Sequence, residues 1–211
     1  MMGEFLREFF ARFSAFRKIE PVASVEDFSE FLASRAAFVS QKKLYEYVKQ
    51  RMGISYPSHF KDSEFIVSLN IAKWHVYAAS LSDLAVWMGA QLHEAGATPR
   101  EAAELTAHAY RHAVTRRFDL DQFTGDIEEL IRAYQDRAAL ADWAALAHGE
   151  AAFKLSPKAL VKWAPISNEL KRYDVDIVMN SLRFAWLAMR DQFRKACQPD
   201  AVLADWRGNH S

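Results

Sequence analysis

The chain has 211 residues, 51% of them hydrophobic, and its 27 lysines and arginines balance its 27 aspartates and glutamates. A chain of this length and composition can bury a substantial core, and its length favours one domain. Balanced charge gives no broad positive field, so we expect no nucleic-acid partner. The single cysteine, Cys197, excludes an internal disulfide and a zinc site built from several cysteines, which favours a reducing compartment.

The first residues argue against a secretory signal. The composition of the most apolar stretch argues against a membrane-spanning helix. Four charged residues interrupt the aromatic residues near the start, whereas a secretory signal has an uninterrupted apolar core. The stretch 65–88 carries Asn70, Lys73, His75 and Asp83, which would be costly at the centre of a bilayer. We therefore expect a cytoplasmic protein in which 65–88 forms a buried helix.

Glycine and proline are scarce and lie where helices would end, so the sequence predicts an all-α fold. The expected architecture is a single helical bundle with two or three long helices and short connecting helices. Ser24 is typical of an N-cap, and the helix that follows it would run to Met52, just before Gly53. Asp62 would begin a second long helix that continues to about Ala95.

The most specific local signal is the run Thr98, Pro99 and Glu101, which combines an N-cap, a first-turn proline and a capping-box acid. It predicts a helix from Pro99 to about Arg117. Shorter helices are expected around 126–142, 143–153 and 156–165, and a last long helix would begin at Ser167 or Asn168 and reach Cys197. The predicted division is an amphipathic N-terminal helix at 1–20, the bundle at 21–198 and a loosely ordered tail at 199–211.

The N-terminal helix is expected to run from Phe5 to Ile19, with an apolar face rich in phenylalanine and with basic neighbours. That face comprises Phe5, Leu6, Phe9, Phe10, Phe13 and Phe16. Aromatic rings and cations are what a helix lying on an anionic membrane surface needs, so peripheral contact with the inner membrane is one interpretation. The same face could pack on the core, on a partner protein or on a second copy of the chain, and the sequence leaves these alternatives open.

Polar residues also follow one side of the apolar helix, at steps of three or four. They are Asn70, Lys73, Tyr77, Ser80 and Asp83. Lys73 is too far from Asp83 to pair within the helix, so its charge needs a neighbouring helix, a ligand or water. One hypothesis is a pocket for an anionic or amphipathic ligand, lined by Asn70, Lys73, Tyr77, Asn180, Arg183 and Trp186. The alternative is a polar network that fixes helix register, or a side open to solvent.

Motifs for chemistry are missing from the sequence. It has no glycine-rich phosphate loop, no Gly-x-Ser-x-Gly and no Cys-x-x-Cys, and without Glu-x-x-His a di-iron carboxylate bundle is disfavoured. The best metal-like arrangement is Glu104, His108 and His112, with Glu101, on one face of a helix. Arginines share that helix, so a solvated surface is the simpler interpretation and we expect no metal and no cofactor.

These observations predict a non-enzymatic interaction protein, an adaptor or assembly factor with a protein partner. The alternative is a helical carrier or enzyme that binds a small ligand in the pocket described above. The two hypotheses predict different environments for Lys73 and Arg183. An interaction protein would leave these cations exposed or satisfied elsewhere, whereas a carrier or enzyme would bring them together on a cavity lined by tryptophans.

Overall fold

A computed structural model describes residues 20–53, 56–117 and 123–209, and these residues form an all-α fold. This confirms the predicted fold class. Within the described ranges the only β-type pairing is an isolated bridge between Val22 and Cys197. The predicted N-terminal helix with its phenylalanine face lies outside the described residues.

The first long helix, α1, is Val25–Met52, with the bounds that the sequence predicts. The Ser24 side chain accepts from the Asp27 N–H, and the Asp27 carboxylate accepts from the Ser24 N–H, so a capping box starts the helix. Gly53 ends it with a φ of 53°, a left-handed conformation that favours glycine. Local chemistry therefore determines both ends of α1.

The second long helix is the central element of the molecule. A short helix, α2, is Tyr56–His59, and Asp62 then caps α3, which is Ser63–Glu94. The side chains at positions 80–90 of α3 are all buried, because helices pack on every side of this segment. A helix that is apolar all round belongs in a core. Among the described helices, none is long and apolar enough to cross a bilayer.

Three helices follow α3. The first, α4, is Pro99–Arg117; the Thr98 N–H donates to Glu101 and the Glu101 N–H donates to Thr98, which confirms the predicted capping box. The others are α5, Ile127–Ala139, and α6, Trp143–Ala147. α4 and α6 pack directly on α3, and α5 packs mainly on α4.

The last part of the chain contains α7, Leu155–Trp163, then α8, Asn168–Lys171, and α9, Val175–Ala196. A turn at 172–174 divides α8 from α9, so the predicted last long helix is interrupted near its start. α9 packs on α7 and α1. It runs antiparallel to α1, because Lys43 donates to Ser181 and Tyr47 donates to Asp174.

The prediction of a loosely ordered tail is wrong for residues 199–209, which form α10, Pro199–Asn209. Pro199 occupies the first turn, where a missing N–H has no cost. Val202, Leu203 and Trp206 are buried on one side of α10, which packs on α1. The sequence analysis took Pro199 as the end of one helix and overlooked that it also begins another.

The chain enters the described structure beside the end of α9. The Val22 N–H donates to the carbonyl of Ala196 at 3.0 Å, and the Gln198 N–H donates to the carbonyl of Val22 at 2.9 Å. We call this pair of hydrogen bonds the terminal clasp. It holds the residues just before α1 against the junction of α9 and α10.

Candidate interaction surface on helix α9

Helix α9 has apolar residues on two opposite sides. Its inner side is buried and comprises Val178, Leu182, Trp186, Met189 and Phe193. Aromatic contacts reinforce this packing: the Trp186 ring stacks on Phe153 at 5.0 Å, and Phe193 meets Trp87 at 5.6 Å. The inner side therefore accounts for the attachment of α9 to the core.

The opposite side of α9 forms the outer stripe, which we define as Ile177, Asn180, Phe184 and Leu187, together with Tyr173 in the turn just before the helix. Asn180 is exposed, and the exposed fractions of the four apolar members are 75% for Tyr173, 57% for Ile177, 73% for Phe184 and 47% for Leu187. Successive members within α9 are separated by three, four and three residues. At 100° per residue this spacing keeps them on one face, about opposite the inner side.

Such spacing is the pattern of a helix that pairs with another helix. A surface helix usually carries polar residues opposite its core face. Apolar residues that alternate at steps of four and three correspond to the a and d positions of a coiled-coil heptad. The outer stripe thus has the residue types and the spacing of a helix-docking face.

Charged residues lie along one edge of the outer stripe. Arg183 forms an ion pair with Glu150, and both side chains are largely exposed. Arg190, half-buried, lies 5.5 Å from the centre of the Trp87 ring. Burial, and then the neighbouring Arg194, lower the pKa of Arg190, and its Nε is buried without an acceptor in the part of the chain that the structure describes.

The six predicted pocket residues lie in different environments. Half-buried Lys73 lies over the Trp74 ring, with Nζ 4.3 Å from the ring centre. Asn70 is half-buried, and Tyr77 is buried. On α9, Asn180 and Arg183 are exposed, whereas Trp186 lies on the inner side. No contact joins Lys73 to Arg183 within the described ranges.

The last residue of the polar series on α3 supports a helix junction. Asp83 is fully buried and accepts from Arg137 Nη1 at 2.9 Å. It also accepts from the backbone N–H groups of Leu155 and Ser156, at 3.0 and 2.7 Å, and from the Ser156 hydroxyl. The Trp186 indole N–H donates to that same hydroxyl at 3.2 Å. Asp83 therefore caps α7 from another helix, which matches the register-fixing alternative.

A cavity of about 490 Å³ lies at the end of the molecule where α1 stops and α3 starts. Its lining includes Arg51, His59, Asp62 and Glu64, and none of the six predicted pocket residues. The charge of Arg51 is matched by the buried carboxylate of Asp174. Two carboxylates line this cavity and its arginine is already paired, which disfavours an anionic ligand there.

The predicted metal-like face on α4 is occupied by other contacts. Glu104 pairs with Arg100 at 2.7 Å, Arg116 donates to His112 at 3.3 Å, and His108 lies against a tryptophan ring. Glu101 accepts from Arg207, which holds its pKa at about 2, with Thr98 adding to the effect. In the described ranges, histidine, cysteine and carboxylate side chains form no group of three suited to a metal ion.

The outer stripe was missed by the sequence analysis, although its signal was present. Ile177, Phe184 and Leu187 stand at heptad spacing in the printed sequence. However, Val178, Leu182 and Trp186 are also helically spaced, at steps of four residues, on the same helix. A single helix with two apolar sides does not reveal which side faces the core, and the packing of α9 on α1 and α7 decides it.

Comparison with known proteins assigns no family. No family model matches the chain, and no curated protein or solved structure is significantly similar to it. Its function is therefore inferred from its own residues.

Proposed function

We propose that this chain is a non-enzymatic helical interaction protein, an adaptor or assembly factor, built on a single helical bundle. The outer stripe of α9 is its docking face for a helix of a partner protein. The supporting observation is the exposure of three large apolar side chains of α9, Ile177, Phe184 and Leu187, opposite the core face of the same helix. Contiguous apolar patches of this kind mark interaction sites on folded proteins.

The placement of the two cations agrees with this proposal. Arg183 is half-exposed and paired with Glu150, and Lys73 is placed against the face of Trp74. An interaction protein is expected to hold both cations in contacts of this kind, without a bound ligand. The carrier or enzyme alternative required the two cations to converge on a cavity between tryptophans, so we do not advance it.

A second contact element is proposed at the N-terminus. The segment 5–19 combines six apolar residues on one predicted face with basic neighbours, which suits peripheral contact with an anionic inner-membrane surface. This element is independent of the outer stripe. It would place the bundle at the membrane and leave α9 available to a protein partner.

The proposal is tested by photocrosslinking in the source cells. A photoreactive phenylalanine analogue replaces Phe184 in the outer stripe, and the matched control replaces Leu140, which is 87% exposed but lies on another part of the surface. We expect a discrete covalent adduct from position 184 and none from position 140. Equal labelling at the two positions, or no adduct from position 184, would argue against a docking face on α9.

A further inference from the structure

Two arginines lie near the end of α9, beyond Leu187, the last member of the outer stripe. Arg190 and Arg194 both approach Trp87, whose side chain is fully buried. The guanidinium carbon of each arginine lies 5.5 Å from the centre of the Trp87 ring. An aromatic ring attracts a cation placed over its face. The fold therefore brings two positive charges to one ring.

Neighbouring groups hold both guanidinium groups in place. Arg190 packs on Gly149, where an added β-carbon would lie 2.2 Å from its guanidinium carbon. Gly149 has a φ of 99°, a conformation that favours glycine, so the space that Arg190 uses stays open. Arg194 Nε donates to Gln91 Oε1 at 3.0 Å. Groups that are positioned before a ligand arrives lose less entropy when the ligand binds.

This part of the molecule offers more hydrogen-bond donors than acceptors. Arg190 Nε and the Trp87 indole N–H are both buried without an acceptor among the described residues. The Nη groups of Arg190 and Arg194 also make no hydrogen bond to any residue that the structure describes, and those of Arg190 are not buried as its Nε is. Glu150, a nearby carboxylate, is paired with Arg183 instead.

The two charges also repel each other. Burial, and then Arg194, lower the pKa of Arg190, and the carboxylates of Asp191 and Glu150 offset this effect only in part. Arginine nevertheless stays protonated at neutral pH. An anion bound to both guanidinium groups would remove the repulsion and accept from Nη groups that have no other acceptor. Arginine is well suited to phosphate, because its planar group donates two parallel hydrogen bonds to phosphate oxygens.

From this arrangement we infer that Arg190 and Arg194 form a binding site for a phosphate dianion, either inorganic phosphate or the phosphate group of a small phosphomonoester. Side chains four residues apart lie on the same helix face, with β-carbons about 6 Å apart, so one phosphate can contact both arginines. Two positive charges match the two negative charges of the ligand. The inference goes beyond the proposed docking function, because it needs neither the outer stripe nor a partner protein.

Binding is measured by nuclear magnetic resonance on the isotopically labelled full chain. Inorganic phosphate is added at constant ionic strength and slightly alkaline pH, where most of it is a dianion. We expect saturable shifts of the Nε–H signals of Arg190 and Arg194 and of the Trp87 indole signal. A parallel titration with glycerol phosphate identifies the source: tighter binding than that of inorganic phosphate assigns the site to a phosphomonoester, and equal or weaker binding assigns it to inorganic phosphate.

Substitutions test the role of each arginine. Arg194→Gln should raise the dissociation constant for phosphate at least about tenfold, because it removes one charged donor from the site. Arg190→Lys keeps the charge but loses the planar pair of donors, so it should also weaken binding. Arg132→Gln, a matched change at an exposed arginine of α5, should leave the constant unchanged. Circular dichroism confirms that each variant is folded.

Shifts that grow with phosphate concentration without saturating would overturn the inference. So would equal phosphate affinity in Arg194→Gln and the unmodified chain, or equal losses in Arg194→Gln and Arg132→Gln. None of these results bears on the adduct expected at position 184. The phosphate site and the docking face of α9 can therefore fail separately.

Discussion

The buried carboxylate of Asp83 organises a dense group of hydrogen bonds in the core. It accepts from Arg137 on α5, from the two backbone N–H groups that begin α7, and from the Ser156 hydroxyl. A buried charge is tolerated when it is paired and its lone pairs are satisfied. Asp83 meets both conditions, so it joins three helices at one point.

We therefore expect Asp83→Asn to lower the free energy of unfolding by about 3–5 kcal/mol, the usual cost of removing one partner of a buried ion pair. The amide leaves Arg137 without its counter-ion, and Arg137 is only 23% exposed. Urea unfolding followed by circular dichroism gives the measurement.

Asp126→Asn is the matched control for this change. Asp126 also accepts from a backbone N–H at a helix start, that of Glu128, but it is exposed. Asparagine caps helices about as well as aspartate, so we expect a change within about 0.5 kcal/mol. Equal effects of the two substitutions would show that the Asp83 network contributes no more than an ordinary cap.

The sequence predicted helix caps more successfully than it predicted contacts between distant residues. Ser24, Asp62 and Thr98 were identified correctly because capping depends on a few neighbouring residues. The partners of Asp83 lie more than 50 residues away, and no local pattern indicates them. For the same reason, the hypothesis that grouped Asn180 with Trp186 in one pocket did not reveal that one is exposed and the other buried.

At the scale of elements, α3 approaches α4 and α6 closely at Gly89. A β-carbon at Gly89 would lie 2.7 Å from the Thr106 methyl group and 2.7 Å from the Trp143 ring. Glycine inside a helix is about 1 kcal/mol less favourable than alanine. Its presence at the centre of α3 is explained by the space that its neighbours occupy.

Gly89→Ala should therefore destabilise the protein despite the better helix propensity of alanine. Overpacking of a filled core costs about 1–3 kcal/mol. The control is Gly208→Ala in α10, where an added β-carbon meets nothing within 4 Å. That change should be neutral or should stabilise by up to about 1 kcal/mol. Thermal and urea unfolding of both variants measure the difference, and a stabilising Gly89→Ala would contradict the packing described.

The ends of the long helices were predictable from the sequence. The helical structure of residues 199–209, which form α10, was not. The bounds of α1, α3 and α4 follow from glycine, proline and capping residues that lie within a few positions of each end. α10 depends instead on burial of Val202 and Trp206 against elements formed much earlier in the chain. Short helices gain most of their stability from such tertiary packing, so local signals underestimate them.

At the scale of the whole molecule, the first long helix begins with contacts among described residues. The cap at Ser24 and the terminal clasp at Val22 both lie within the described residues. Neither needs the segment 1–19. The all-α class was predictable from the distribution of glycine and proline, but the position of the phenylalanine-rich segment depends on contacts that composition does not specify.

We expect a chain lacking residues 1–19 to keep its helical content and to lose binding to anionic liposomes. The full chain should float with vesicles containing anionic lipid, less with neutral vesicles and less at high salt, because cations and aromatic rings act together at the interface. Co-flotation of both versions gives the measurement.

A variant with Phe9→Ser and Phe13→Ser keeps the cations and serves as the control. It should bind weakly, which separates ring insertion from charge attraction. Flotation of the truncated chain would assign membrane contact to the bundle, and unfolding of the truncated chain would show that the segment belongs to the core.

The terminal clasp also has a consequence for folding kinetics. It pairs the backbone at Val22 with residues 196 and 198, so the start of α1 is completed by a part of the chain that the ribosome makes much later. Contacts between residues this distant in sequence slow folding, even in helical proteins. Helices α3 to α6 can pack while synthesis continues. The molecule closes only after α9 and α10 have emerged, and until then the apolar start of α1 stays accessible to chaperones.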